Sequence, residues 1–291
     1  MRHLRWPWIG IASLTVLWSC GGDADPGRST LERIRRSGVV SVGYANEAPY
    51  AYQDRATGRV TGEAPEIARV ILDRMGVERI EGVLTEFGAL IPRLQAGRFD
   101  LIAAGMYITS PRCVQVAFSN PTYSIGEAFI VEEGNPLGLH SYEDIRDAPN
   151  TILGVVSGAI ERKYAQQAGV ADQQITTFPD PPSAMAGVRA SRVSAFAATE
   201  LTVQNLLNKD SEGLERAEPF TDPVIEGESV RGYGAFGFRK DETTLVAEFN
   251  RHLADFIGTP EHLKLVEPFG FGESQLPGDM TAKEACEVKV R

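Results

Sequence analysis

The sequence predicts an α/β protein built from two similar lobes, and three observations carry that expectation. Short β-branched runs alternate with amphipathic stretches along most of the chain, the pattern of parallel sheets flanked by helices. The length of 291 residues is enough for roughly two domains or one large α/β domain. Finally, the run LQAGRFDLIAAG over Leu94–Gly105 parallels VRASRVSAFAAT over Val188–Thr199. Each copy reads as a helix end, a tight turn, a strand and a loop, so each lobe would offer a loop at a strand end.

In chain order, strands are expected at Val39–Tyr44, Arg79–Leu84, Phe99–Ala103, Thr151–Val155, Gln174–Phe178, Val193–Ala197 and Arg231–Arg239. Helices are expected at 63–75, 87–96, 158–169, 181–190, 199–208, 241–258 and 260–267. In the first of these, Ile67, Val70, Ile71 and Met75 fall close to one helical face. Ligands of such sheets gather at the carboxyl ends of the strands.

The chain has 39 acidic and 29 basic side chains, a formal charge of −10. That balance excludes nucleic-acid binding through a generally basic surface. Hydrophobic residues make up 43% of the chain and charged residues 23%, which excludes wholesale disorder. Residues 1–19 read as a secretory signal: Arg2 and Arg5 give a basic start, and Trp6 to Trp18 is apolar but too short to span a bilayer. Its removal takes the net charge to −12. The run Leu17, Trp18, Ser19, Cys20 resembles a bacterial lipoprotein cleavage box, although Trp18 is an unusual occupant. Residues 20–29 would then form a lipidated polar tether, with Cys20 acylated and holding the exported protein to the membrane. An ordinary cleaved signal or an uncleaved anchor are the alternatives. Cys113 and Cys286 are an even pair in an oxidising compartment; either a disulfide pins the C-terminal tail to the body, or both are buried thiols. The four histidines form no metal-ligand spacing, and neither a metal nor another cofactor is expected.

A family resemblance rests on longer motifs. Gly97–Arg112, reading GRFDLIAAGMYITSPR, is followed by VAFSNPTY over Val116–Tyr123; with Gly43–Tyr50 and Gly154–Gly158 these resemble the family-3 extracellular solute-binding proteins of ABC importers over residues 30–275. More narrowly, Ala45–Glu66 and the run EPFGFG over Glu267–Gly272 resemble the ectoine- and hydroxyectoine-binding members of that family. The resemblance implies an α/β, two-lobed periplasmic-binding-protein type II fold with a central cleft and two hinge crossings. It places lobe 1 at 30–120 and 234–275, lobe 2 at 125–228, the crossings near Pro121–Ser124 and Ser229–Tyr233, and a tail at 276–291. Its partners would be a small zwitterionic ligand and the transmembrane subunits of an ABC permease, with the binding protein itself a monomer. The lobes would close on the ligand by hinge motion.

The same resemblance assigns site residues. Arg112 follows the Gly105–Thr109 loop and would grip the ligand carboxylate with its planar fork, with the Thr109 hydroxyl and N–H assisting. The competing explanation is an arginine that only caps the helix near 110–118. Tyr50, Phe87 and Tyr107 each follow a predicted strand or turn, and three rings from three loops could box a delocalised cation, at about 0.5–2 kcal/mol per contact. Core packing is the alternative, strongest for Phe87. Glu47 could accept N–H bonds from an amidinium. Relatives that bind α-amino acids commonly carry an Asp where this chain has Thr199; a neutral hydroxyl suits a ligand without a free primary ammonium. Glu200 is adjacent but would face elsewhere in a new helix. Ala159 stands where relatives usually have Thr, which removes a hydroxyl and leaves a backbone N–H at a helix start.

These residues imply the binding component of an importer for ectoine or hydroxyectoine, and not an enzyme. Another zwitterion or polar amino acid remains an alternative ligand, and a cyclohexadienyl-type dehydratase on the same fold is a remote one.

Overall fold

A computed structural model describes residues 29–225 and 228–287. The expected signal at 1–19 and the acylation site Cys20 lie outside the described residues. Two sheets organise the chain. The first has six strands, in the order Arg79–Leu84, Val39–Tyr44, Leu101–Tyr107, Gly232–Phe238 and Ala117–Phe118, with Tyr123–Ile125 also paired to Gly232–Phe238. The second has five, in the order Ile175–Phe178, Leu153–Val156, Ala195–Thr199, Glu127–Glu132 and Leu214–Arg216.

The sheets are mixed, where the alternation of elements predicted parallel ones. In each sheet the first three strands are parallel, and the fourth runs antiparallel to them. The reason is the path of the chain. Tyr123–Ile125 pairs in the first sheet, Gly126 follows, and Glu127–Glu132 pairs in the second. The return strand Gly232–Phe238 then enters the first sheet against its parallel strands. Each lobe therefore borrows its antiparallel strand from a crossing. Glu127–Glu132 was missed because five of its six residues are buried, so it shows no alternation of apolar and polar side chains.

Several boundaries differ from expectation by a turn. The strand expected at 99–103 runs Leu101–Tyr107, because Phe99 still belongs to the turn and packs its ring over Gly43. The segment 87–96 divides into a 3-10 turn at Phe87–Ala89 and a helix at Leu90–Gln95. The helix expected from 158 begins at Glu161. The internal repeat is structural: Gly97 and Ser191 occupy equivalent turns with φ 67° and 51°, and Leu101 and Ala195 begin equivalent strands.

Helices cover both faces of each sheet. On one face of the first, Glu63–Arg74 buries Ile67, Ala68, Ile71 and Leu72 completely, against Phe236, Phe238 and Phe249. On the other, Leu90 and Leu94 pack with Ile102 and Phe118. Among the described residues no helix is long and apolar enough to cross a membrane.

Candidate functional site

The cavity between the two sheets is lined by Glu47, Tyr50, Phe87, Tyr107, Arg112, Ala159, Glu161 and Thr199, among others. Each arrives from the carboxyl end of a strand or from the loop or helix that follows. Glu47 and Tyr50 follow Val39–Tyr44, Tyr107 ends its strand, and Thr199 ends the equivalent strand of the other lobe.

Arg112 sits in the helix Ser110–Gln115, capped by the Thr109 hydroxyl, which accepts the Arg112 N–H at 3.4 Å. Its Nη1 donates to Tyr107 O at 2.8 Å, and its Nη2 donates across the cleft to Gly158 O at 2.9 Å. Guanidinium has five N–H donors, so three remain for a carboxylate. Burial lowers its pKa, and Glu161 opposes that shift. The Phe87 ring lies 5.4 Å from the guanidinium carbon, so its face meets a protein cation already.

Thr109 does not line the cavity. Its side chain occupies the N-cap position, which turns the hydroxyl toward the N–H of Arg112. Ala159 does line the cavity. Its N–H bonds Val156 O at 3.2 Å, and the helix starts two residues later at Glu161.

A hydrogen-bond relay crosses the cleft. The Tyr50 hydroxyl donates to Thr199 Oγ1 at 2.8 Å, Thr199 donates to Thr202 Oγ1 at 3.1 Å, and Thr202 donates to Glu47 Oε1 at 2.7 Å. Each threonine hydroxyl accepts from one side and donates to the other, and the chain ends on a carboxylate. Thr199 thus uses its hydroxyl between lobes and as the N-cap of Glu200–Lys209. Glu200 faces away, 3.6 Å from Arg216.

The rings are supported from behind. Tyr123 lies 5.3 Å from Tyr50 and 6.3 Å from Tyr107, and Phe271 lies 5.5 Å from Tyr50. A Cβ on Gly232 would overlap the Tyr107 ring, and one on Gly234 would overlap the Tyr123 ring. The glycines of the return strand are what admit these two rings.

Sequence reasoning missed Glu161, Thr202, Tyr123 and Phe271. Glu161 is the most consequential. It is 5% exposed, its Oε2 has no hydrogen-bond partner, and burial raises its carboxyl to about 7, with Arg112 relieving part of that shift. Glu47 is also raised by burial, offset by the Thr202 hydrogen bond. The available signal for Glu161 was its position three residues after Gly158, in a motif already noted; nothing local showed that it faces Arg112 rather than solvent.

Two α/β lobes clasping a cavity with cationic, acidic and aromatic walls define a bilobal solute-binding protein of the periplasmic type II fold. The chain belongs to the bacterial extracellular solute-binding proteins, family 3, whose profile matches residues 40–273. It serves as the solute-binding component of an amino-acid-type ABC importer. A probable amino-acid ABC transporter periplasmic-binding protein of Sinorhizobium fredii, y4tE, is 39% identical over 264 residues, covering 89% of this chain and 87% of that protein. The crystal structure of EhuB in complex with hydroxyectoine superposes with a TM-score of 0.80 at 33% identity, covering 89% of this chain and 98% of that one. That of the ancestral amino acid-binding protein AncCDT-1, a precursor of cyclohexadienyl dehydratase, gives 0.71 at 25% identity, covering 83% and 99%.

Proposed function

We propose that this chain captures ectoine or hydroxyectoine between its lobes and delivers it to the transmembrane subunits of an ABC permease. The observation that carries this reading is the joint presence in one cavity of Arg112, Glu47 and the rings of Tyr50, Phe87 and Tyr107, with Thr199 where α-amino-acid binders commonly place an aspartate. Arg112 takes the ligand carboxylate, Glu47 and Glu161 accept the two amidinium N–H bonds, and the tyrosine rings cover the delocalised cation. Thr199 and Ala159 form neutral walls. The likeness to a protein whose crystal structure holds hydroxyectoine supports the choice. Compatible solutes are excluded from ordinary protein surfaces, so a site for one needs desolvated charges and π-faces in fixed geometry. In this reading the mature chain is a monomer held to the membrane through acylated Cys20, and it is a receptor without catalytic activity.

Glu161 favours one second reading. A further carboxyl in the cavity could hold the ammonium of a polar α-amino acid in place of the missing aspartate. Titration calorimetry decides between the two. Ectoine is expected to bind and to raise Tm, and Arg112→Ala to abolish both effects. Absence of any shift with millimolar ectoine, preferential tight binding of arginine or glutamine, or turnover of prephenate or arogenate would overturn the proposal.

A further inference from the structure

We infer that the C-terminal tail is a strap that positions Arg112 through the Cys113–Cys286 disulfide, an inference that rests on Arg112 being the grip for the ligand carboxylate. The helix Ser110–Gln115 has six residues, with Arg112 and Cys113 half-buried and none fully buried. A helix this short has no stability of its own in water, and here its apolar contact with the core is limited to the partly buried Cys113. Its orientation is therefore set by what is attached to it.

At its start it is held by the Thr109 cap. Gln95 Nε2 donates to Gln115 O at 3.0 Å at its far end, and Lys240 Nζ donates to Cys113 O at 2.7 Å. Arg112 itself bonds Tyr107 O and Gly158 O, and the tail adds further attachments. Cys286, 173 residues further along the chain, is bonded to Cys113, the residue next to Arg112. The Ser110 hydroxyl donates to Cys286 O at 2.6 Å. The tail has its own anchors: the Ala282 N–H donates to Asn120 Oδ1 at 3.1 Å, and Ala285 is buried in the cluster of Ile108, Val116 and Phe118. The strap thus ties the body of lobe 1 to the helix at Cys113, the residue next to Arg112. A recognition group must be held to within about half an ångström of its productive position. A bidentate guanidinium is more demanding in this respect than a point charge.

The test is titration calorimetry with ectoine, well below the unfolding temperature, on the full mature chain. The Cys113→Ala/Cys286→Ala variant is expected to bind on the order of tenfold more weakly than the native chain. The native chain reduced by a phosphine is expected to show the same loss, which keeps the test independent of how well the variant folds. In an Arg112→Lys background, removing the disulfide is expected to change Kd by less than twofold. A general structural role would instead weaken binding equally in both backgrounds. Affinity within twofold of native for both the double variant and the reduced protein would overturn the strap, and so would an equal loss in the Arg112→Lys background. Should the native chain bind a different carboxylate ligand and not ectoine, the proposed function falls, and the same comparison with that ligand still decides the strap.

Discussion

Arg112 and Glu161 belong to opposite lobes and were unequally legible. Arg112 lies in a long motif whose spacing places it after a strand end. Glu161 has its meaning only when the lobes meet, because a carboxyl in a helix of ordinary composition looks like a solvated one. Its raised pKa gives a test of the ligand's charge. A bound cation favours the ionised carboxylate, so a carboxyl raised to about 7 releases its proton on binding. Affinity for a cationic ligand is then expected to be constant well above pH 7 and to fall below it, by at most about tenfold per pH unit for one proton. Glu161→Gln should flatten the profile between pH 5 and 8 while leaving weaker binding. Calorimetry in buffers of different ionisation enthalpy checks this through the proton released.

Among the elements, the return strand Gly232–Phe238 does most to shape the cavity. It closes the first sheet, and its glycines at 232 and 234 leave room for the Tyr107 and Tyr123 rings. Gly232→Ala forces the Tyr107 ring away from its seat. Overpacking of this kind costs about 1–3 kcal/mol. The variant is expected to have a lower Tm by scanning calorimetry and weaker ligand binding, since the Tyr107 carbonyl also holds Arg112. The strand itself was expected from its run of apolar residues. Its antiparallel direction was not, because direction depends on where the chain has been in the intervening lobe. The repeated units at 94–105 and 188–199 were readable as elements, since helix end, left-handed turn and strand are local events.

Across the molecule, burial of acids sets the response of stability to pH. Glu63 opens the helix Glu63–Arg74, is 1% exposed, and neither of its oxygens has a hydrogen-bond partner. Burial raises it to about 7, and Thr122 beside it relieves only part of this. The folded protein thus binds this proton more tightly than the unfolded chain. The contribution is fully present below about pH 4.5 and is lost as pH rises through about 7. His262, in the same small cavity, is lowered by burial to about 4 and acts with the opposite sign between there and its ordinary 6.5. Comparison with Glu63→Gln isolates the acid. The variant is expected to be more stable than the native protein at pH 8, by at most about 3 kcal/mol, and to lose that advantage at pH 4.5. Chemical denaturation at the two pH values measures the difference.

The division between what the residues announced and what folding decided follows from range. The alternation of strand and helix, the repeat, the motif ending at Arg112 and the even pair Cys113 and Cys286 were all visible, because each is written in neighbouring positions or in a simple count. Tertiary contact decided the mixed sheets, the Tyr50–Thr199–Thr202–Glu47 relay, the second carboxyl of Glu161 and the dependence of the Arg112 helix on a tail 173 residues away. These are meetings between distant segments, and side-chain chemistry says what a group could do there without saying which group it meets.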